Sequence, residues 1–492
     1  PEHRRIVQDF WSSPRIAESP GHKAVDLFDA VADGRIKALW IMATNPVDSL
    51  PEADRVRDAI SSCPFVVVSD VERCTDTSIL ADVLLPAEAW GEKDGTVTNS
   101  ERRISRQRAF ADRPGETRAD WWQICEVAKR LGFEDGFNYT SPHEIFAEYA
   151  ALTGAENSGT RDLDISAFAD ISVDTYSSLA PFQWPQPKGT KSTETRFFGE
   201  GGFFTPDRRA KFVETTYRPP ATKVSEIYPL VLNTGRIRDQ WHTMTRTAKT
   251  ARLMSHIAEP FLEIHPDDAA RAGLRTGSLC NVESEHGHVI LRVSVTPQQR
   301  CGSVFAPIHW TDQYASNARI DRLVSASTDP ISGQPESKFT PVAARPLDAA
   351  WYGFAVSADD LTLPAVEYYA TAPSKVGTRM ELAGVESPDD WDAFAGELFG
   401  DEGNGEVEVL TYRDVRAGHY RLARLRERRL VGALFVSSVP VAVSRTWAAA
   451  QLDQEIEPGD RLRFLAGRPG ADVPDKGAIV CSCFEVGDNE IR

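Results

Sequence analysis

The densest run of chemistry in the chain is Asn233-Thr-Gly-Arg-Ile-Arg-Asp-Gln-Trp-His-Thr-Met-Thr-Arg246. It offers backbone N–H groups at Gly235, guanidinium groups at Arg236, Arg238 and Arg246, and an amide at Gln240. An indole at Trp241, an imidazole at His242 and hydroxyls at Thr243 and Thr245 complete it. A heterocycle carrying a diphosphate would use such a set, because N–H groups and arginine forks suit phosphate while amides and ring faces suit a base. A zinc centre would not, since no second ligand cluster stands nearby at the usual spacing. Neither a Walker loop nor a G-x-G-x-x-G is present, which sets aside ordinary ATP and NAD sites.

Three further groups of residues could do chemistry. Thr44-Asn45-Pro46 and Ser69-Asp70 each close an apolar run with short polar side chains able to read hydrogen-bonding edges. The Gly- and charge-rich stretch after Trp90 runs into Arg102, Arg103, Arg106 and Arg108, which is either a solvated loop or a clamp on phosphate. Asp120 opens an amphipathic helix with Trp121, Ile124, Cys125, Ala128 and Leu131 on one face, and first reads as its N-cap. Near the C-terminal end, Cys481 and Cys483 form a tight pair, whereas the other five cysteines are scattered in apolar surroundings.

These groups need elements to hold them. Ala24, Leu27, Phe28 and Val31 make a helical stripe stopped by Gly34, and 51–62 is a second helix. Between and after them lie the apolar runs 36–42, 65–68 and 81–85, the pattern of a parallel sheet covered on both faces. Ligands of such sheets sit beyond the carboxyl ends of the strands, where Asn45, Ser69 and Asp70 fall. Residues 151–225 read as a long irregular connection whose aromatics pack on a core. From Tyr228 short strands (229–232, 279–284, 289–295, 304–308) and a single helix at 265–273 suggest a small mixed β-barrel. Beyond 349 come strands at 351–355, 406–412 and 430–436 with an acidic helix near 389–399, an α+β unit.

A chain of 492 residues predicts roughly three or four domains. With 55 Lys+Arg against 72 Asp+Glu the net charge is −17, which argues against a nucleic-acid or anionic-membrane binder while leaving room for a local basic funnel. The apolar fraction of 41% suits globular cores, and no uninterrupted apolar run has the span of about 20 residues that a bilayer demands. The start at Pro1, without a signal segment, and the absence of a disulfide framework give the expectation of a cytoplasmic piece of a longer protein.

Several long strings then carry a resemblance. Ala38–Pro46, Ala81–Pro86, Trp90–Arg106, Leu232–Thr247, Ile308-His-Trp310 and Asp329–Glu336 resemble the molybdopterin oxidoreductase family, and within it the bacterial assimilatory nitrate reductases. The implied fold is a doubly wound α/β parallel-sheet domain (1–150), the irregular connection (151–225), a molybdopterin dinucleotide-binding β-barrel of double-psi type (226–346), and a small α+β C-terminal domain (349–470). The implied cofactor is bis-molybdopterin guanine dinucleotide holding molybdenum. Its contacts would come from Asn45, Ser69, Asp70, Lys93 and Asp120 in the first domain, with Asp70 and Asp120 accepting from a guanine edge. The barrel would add Thr234, Gly235, Arg236, Gln240, Trp241, His242, Thr243, the neighbourhood of His309, Asn317 and Lys338, with Lys93 and Arg236 suited to phosphate. Asp120 as a cap and His309 as a satisfied core histidine remain the alternative readings.

The resemblance implies nitrate reduction to nitrite, with electrons from a flavoprotein or ferredoxin partner. It also implies a [4Fe-4S] cluster and a molybdenum ligand in a preceding half. No cysteine cluster precedes Cys63, so no catalytic residue is expected in this chain. Gly477–Phe484 looks like the opening of a [2Fe-2S] module (475–492) related to bacterioferritin-associated ferredoxin, of whose four thiolates Cys481 and Cys483 would be two. Arg246 is a candidate to draw nitrate inward. A formate dehydrogenase or another oxidoreductase with the same cofactor, and a noncatalytic cofactor-carrying subunit, are the competing readings.

Overall fold

Short apolar runs closed by Gly or Pro build the first unit of the computed structural model, which describes residues 2–190, 196–400, 407–467, 479–481 and 486–491. After α1 (Glu2–Phe10) come α2 (Ala24–Ala32), β1 (Leu39–Met42), α3 (Pro46–Ser49), α4 (Ala53–Ser62), β2 (Val66–Asp70) and β3 (Val83–Pro86). Gly34, at φ +70°, stops α2 in the left-handed conformation that glycine takes at no steric cost. The three strands are parallel in the order β1-β2-β3. Phe28, Val31, Ile41, Val56, Ile60, Val66 and Val68 form their core. The third strand departs from expectation. Val83 is exposed and Leu84 and Leu85 only half buried, unlike Leu39 and Ile41 of the other edge strand, β1.

The stretch after Trp90 is not a free loop, and Arg102, Arg106 and Arg108 within it are turned to protein partners. β4 (Gly95–Thr98) and β5 (Arg103–Gln107) form an antiparallel hairpin, extended by β6 (Phe182–Gln183). Arg106 lies 4.0 Å over the Tyr176 ring and pairs with Asp94 at 2.7 Å. Arg108 donates to the Ser177 carbonyl at 2.7 Å, and Arg102 covers Phe197 at 3.9 Å. The rings of Tyr176 and Phe197 and the Ser177 carbonyl lie about 70 to 95 positions along the chain, so a local reading cannot see them. Ile104, Phe146, Ala150, Ile165, Tyr176 and Phe182 form a small core here, so this part of 151–225 is built on α6 (Pro142–Gly154), α7 (Val173–Ser177) and the hairpin. In α5 (Asp120–Arg130) the cap is Ala119, which leaves Asp120 as the first helical residue. The buried face of α5 carries Gln123, Cys125 and Ala128, while Ile124 and Leu131 are exposed.

The second large unit is a closed barrel. Its strands are β7 (Leu230–Gly235), β8 (Phe261–Ile264), β9 (Leu279–Glu283), β10 (His288–Val295), β11 (Ser303–Pro307) and β12 (Thr340–Pro346), in the order β10-β8-β11-β7-β12-β9. The β8–β10 and β7–β11 pairs are parallel, so the barrel is mixed. α8 (Ala251–Met254) and α9 (Pro266–Ala272) are its short helices. Val289, Leu291 and Val293 fill the interior with Leu232, Leu262, Ile264 and Val304.

β13 (Trp351–Ser357), β14 (Tyr368–Pro373), β15 (Thr378–Gly384), α10 (Trp391–Phe399), β16 (Val407–Asp414), β17 (His419–Arg426) and β18 (Arg429–Ser437) follow, then α11 (Arg445–Ala450) and α12 (Arg461–Leu465). The strands make one antiparallel sheet, β14-β15-β13-β18-β17-β16. One face of it joins the outer surface of the barrel in a single core: Leu279 and Ile290 from the barrel, Met244, Ala248 and Met254 from the loop after β7, and Tyr352, Phe354 and Phe435 from the sheet. At about 1.5–3 kcal/mol for each large apolar side chain buried, this contact stabilises both partners. Cys481 ends a short strand, β19 (Ile479–Cys481), but its side chain and the whole of Cys483 lie outside the described residues. No helix among the described residues is long and apolar enough to cross a membrane.

Candidate functional site

The loop that leaves β7 is held from behind. The Ile237 N–H donates to His309 Nε2 at 3.0 Å, and the other ring nitrogen, Nδ1, lies 2.7 Å from the His242 carbonyl. An amide hydrogen on one side and a carbonyl on the other fix the tautomer: Nδ1 carries the proton and Nε2 accepts. Burial, aided by His242 and Arg236, keeps His309 below the ordinary histidine range, so the ring is neutral. His309 is therefore a satisfied core residue whose part is to shape the loop 237–242, and both of its nitrogens are committed.

The strand end is held as firmly. Thr234 Oγ1 donates to the Ser337 carbonyl at 2.9 Å, and the Lys338 ammonium reaches the Thr234 carbonyl and, at 3.3 Å, its hydroxyl. A Cβ on Gly235 would stand 2.8 Å from Phe305 Cε2, so close approach of that ring is what the glycine permits. Arg236 lies 5.1 Å over the Trp241 ring, whose neighbour His242 is 4.4 Å away centre to centre. Burial, Arg236 and Arg246 together lower His242, which is neutral at pH 7. Gln240 donates to Met254 Sδ at 2.9 Å, yet its Oε1 is buried with no partner. Thr243 is half buried at the surface of this loop.

The α/β unit presents its strand ends to the same loop. The Ala43 N–H bonds the Ser69 carbonyl at 3.0 Å, which aligns the ends of β1 and β2. Ser69 Oγ accepts from Trp40 Nε1 at 2.9 Å and donates to Gln123 of α5 at 2.7 Å, so it ties the sheet to that helix. One turn earlier in α5, Asp120 pairs with Lys93 at 2.6 Å while its Oδ1 is buried and unpartnered. Burial raises Asp70 against the pull of the Glu72 and Val71 amides and of Arg246. Lys249 closes on Glu72 at 3.0 Å. Asn45 donates to Asp48 and accepts from Thr77 at 2.5 Å.

Most of the expected residues thus fall into two clusters, one on the barrel loop and one on the strand ends, that meet through the Lys249–Glu72 ion pair. Asn317 stands apart: its side chain bonds the Glu367 carbonyl at 3.1 Å and Arg322 at 3.2 Å, at the border with the C-terminal sheet. Sequence reasoning passed over Thr311 and Gln313, just beyond His309, whose Oγ1 and Oε1 are buried without partners. Their one signal was the adjacency to Ile308-His-Trp310. Unpartnered acceptors at Gln240 and Asp120, together with the Arg236 and Arg246 guanidinium donors of the barrel loop, are a set of donors and acceptors that fits a nucleotide carrying both a base and phosphates.

Comparison with known proteins agrees with this division. The family model Molybdopterin oxidoreductase matches residues 12–130, and the model Molydopterin dinucleotide binding domain matches residues 230–341. A nitrate reductase of Klebsiella oxytoca is 41% identical over 494 residues, covering 100% of this chain and 55% of the relative. The F420-dependent formate dehydrogenase subunit alpha of Methanocaldococcus jannaschii is 33% identical over 334 residues, 68% of this chain and 46% of the relative. The chain spans about half the length of these curated relatives. Among solved structures, acetylene hydratase from Pelobacter acetylenicus shares the fold with a TM-score of 0.51 at 20% identity, over 65% of this chain and 46% of that one.

Proposed function

With a molybdopterin oxidoreductase segment and a dinucleotide-binding barrel joined in one chain as the premise, we propose that this chain holds bis-molybdopterin guanine dinucleotide for a molybdenum enzyme that reduces nitrate to nitrite in nitrate assimilation. The observation that carries the reading is the meeting of two polar tips, the loop 236–249 and the ends of β1 and β2, across the Lys249–Glu72 ion pair, with the Arg246 charge felt at Asp70. The cofactor, when bound, supplies the oxygen-atom and electron chemistry at its metal. Arg236 and Lys93 bind phosphate, the latter on exchanging Asp120 for it. Asp70, Asp120 and Gln240 Oε1 accept from the N–H edge of a base. His309 and Lys338 orient the loop and touch no ligand. In the whole protein, iron–sulfur clusters, among them one on Cys481 and Cys483, would pass electrons from a flavoprotein or ferredoxin in the cytoplasm.

The test is chemical. Full-length protein with Asp70, Lys93, Arg236 and His242 all changed to Ala should lose both molybdenum and acid-released GMP. Undiminished amounts of either would overturn the reading. Formate oxidation is the second reading, favoured by the formate dehydrogenase relative. Full-length protein that turns over formate but not nitrate would establish it. A protein that carries the cofactor yet turns over neither would be the noncatalytic carrier.

A further inference from the structure

The antiparallel register of β8 and β11 sets Ile264 opposite Val304, so the chain that leaves β8 at His265 passes the chain that enters β11 from Cys301. His265 is also the N-cap of α9, and Asp268 stands one turn further along that helix. Among the described residues these three make one group of metal-binding type. A ring nitrogen of His265, a carboxylate oxygen of Asp268 and Cys301 Sγ all lie within 4.8 Å of one another. None of the three belongs to the candidate nucleotide site.

The carboxylate is fixed by the fold. Asp268 is 3% exposed, and its Oδ2 accepts from the Gly302 N–H at 2.6 Å. That leaves Oδ1 turned to Cys301, 3.6 Å from the sulfur. Donor atoms around a tetrahedral ion with bonds of about 2.0–2.3 Å stand about 3.3–3.8 Å apart, so this pair already has the separation a zinc shell needs. Positive charge is drawn to the same point, because Arg271 Nη2 bonds Asp268 Oδ1 and lies 3.5 Å from Cys301 Sγ. The Arg271 side chain is 65% exposed and can turn into water, whereas Asp268 cannot. Cys301 is exposed too, which gives an ion its way in. A sulfur, an imidazole and one carboxylate suit a borderline divalent metal, while magnesium and calcium would want six or more oxygens. We propose that His265, Asp268 and Cys301 are three ligands of a zinc-class divalent ion whose fourth position is open, with Arg271 standing in for the ion when none is bound. On binding, the Cys301 proton leaves and Arg271 turns to water. His265, whichever ring nitrogen meets the metal, gives up the bond that its Nδ1 accepts from the Asp267 N–H at 3.1 Å. The ion would then staple the turn after β8 to the start of β11.

The site is independent of the reaction proposed above, and its test reads the metal, not turnover. The full chain is prepared reduced and metal-free, with Cys481→Ser and Cys483→Ser so that this pair cannot compete, and is titrated with Co(II). One equivalent should give the strong d–d absorption of a tetrahedral site and a thiolate-to-cobalt charge-transfer band, and Zn(II) should bleach both. Cys301→Ala, at an exposed position, should abolish the charge-transfer band. His265→Asn keeps a side chain able to cap α9 and should weaken the midpoint by more than the roughly 10- to 100-fold cost of a lost outer-sphere partner. Arg271→Ala should tighten it on the order of 2- to 5-fold, the reach of an exposed ion pair, because the competing cation is gone. A colourless titration, the weak absorption of octahedral cobalt, or a charge-transfer band that survives Cys301→Ala would overturn the site. Weaker binding in Arg271→Ala would overturn the stand-in role.

Discussion

Asp321, close to Lys338 beneath the β7 strand end, shows how a single side chain sets a pH dependence. Burial pushes its carboxyl from 3.8 up to about 7, with Lys338 pulling the other way. Below 3.8 the group is protonated in folded and unfolded chains alike. Between there and about 7 it is protonated only in the fold, so stability falls as pH rises through that window. Asp321→Asn should flatten this slope and leave the variant more stable than the parent at pH 8, as read by urea melts at pH 5 and pH 8. A second residue-scale expectation concerns Gly235, whose added methyl would meet Phe305 at 2.8 Å. Gly235→Ala should cost about 1–3 kcal/mol by overpacking, measured by denaturant unfolding, and Phe305→Leu should restore part of it. Under the proposed reaction, Arg246→Ala should raise the nitrate KM several-fold with kcat little changed. An unchanged KM would remove the residue from the substrate path.

At the scale of elements, the seam between α4 and the segment after β11 is polar and buried. Arg319, 1% exposed, bonds Asp54 at 2.6 Å, Asp312 at 3.0 Å and the Val47 carbonyl at 3.0 Å, and Arg322 adds a bond to Asp54 at 2.8 Å. Burial and the adjacent Asp76 hold Asp48 well above the usual carboxylate range beside this cluster. Removing the central cation strands several carboxylates. Arg319→Met should therefore cost about 3–5 kcal/mol, visible as a lowered midpoint for the α/β unit in thermal unfolding. None of this seam was legible in the sequence, because Asp54 and Arg319 are far apart in the chain and each alone reads as an ordinary surface charge. The helices and first two strands of the α/β unit were legible, since unbroken apolar runs between Gly and Pro leave few alternatives. Two barrel strands were not: Phe261–Ile264 is only four residues between prolines, and Thr340–Pro346 carries a proline at each end that speaks against a strand. That 233–246 gathers polar and cationic side chains was readable from residue types alone, whereas the commitment of Arg102, Arg106 and Arg108 to distant aromatic rings and carbonyls needed the fold.

Across the whole molecule, the cores do not coincide with the three large units. Besides its interior core, the barrel shares a second core with the C-terminal sheet on its outer surface, while the α/β core is separate and reaches the barrel through charges. Calorimetry should resolve this division. Leu262→Ala inside the barrel and Phe354→Ala on the sheet should lower the same transition, at about 2–5 kcal/mol each. Ile60→Ala should lower a different one. A common transition for all three would contradict the arrangement.

Met244, Ala248 and Met254 belong to the loop that carries Gln240 and His242, yet each is buried in the core supplied by the C-terminal sheet. That sheet is thus the backrest of the candidate nucleotide loop. A protein shortened at Asp348 would keep all six barrel strands and still lose the wall that its loop leans on. It should retain the barrel's strand content while, under the proposed function, its grip on a nucleotide slackens.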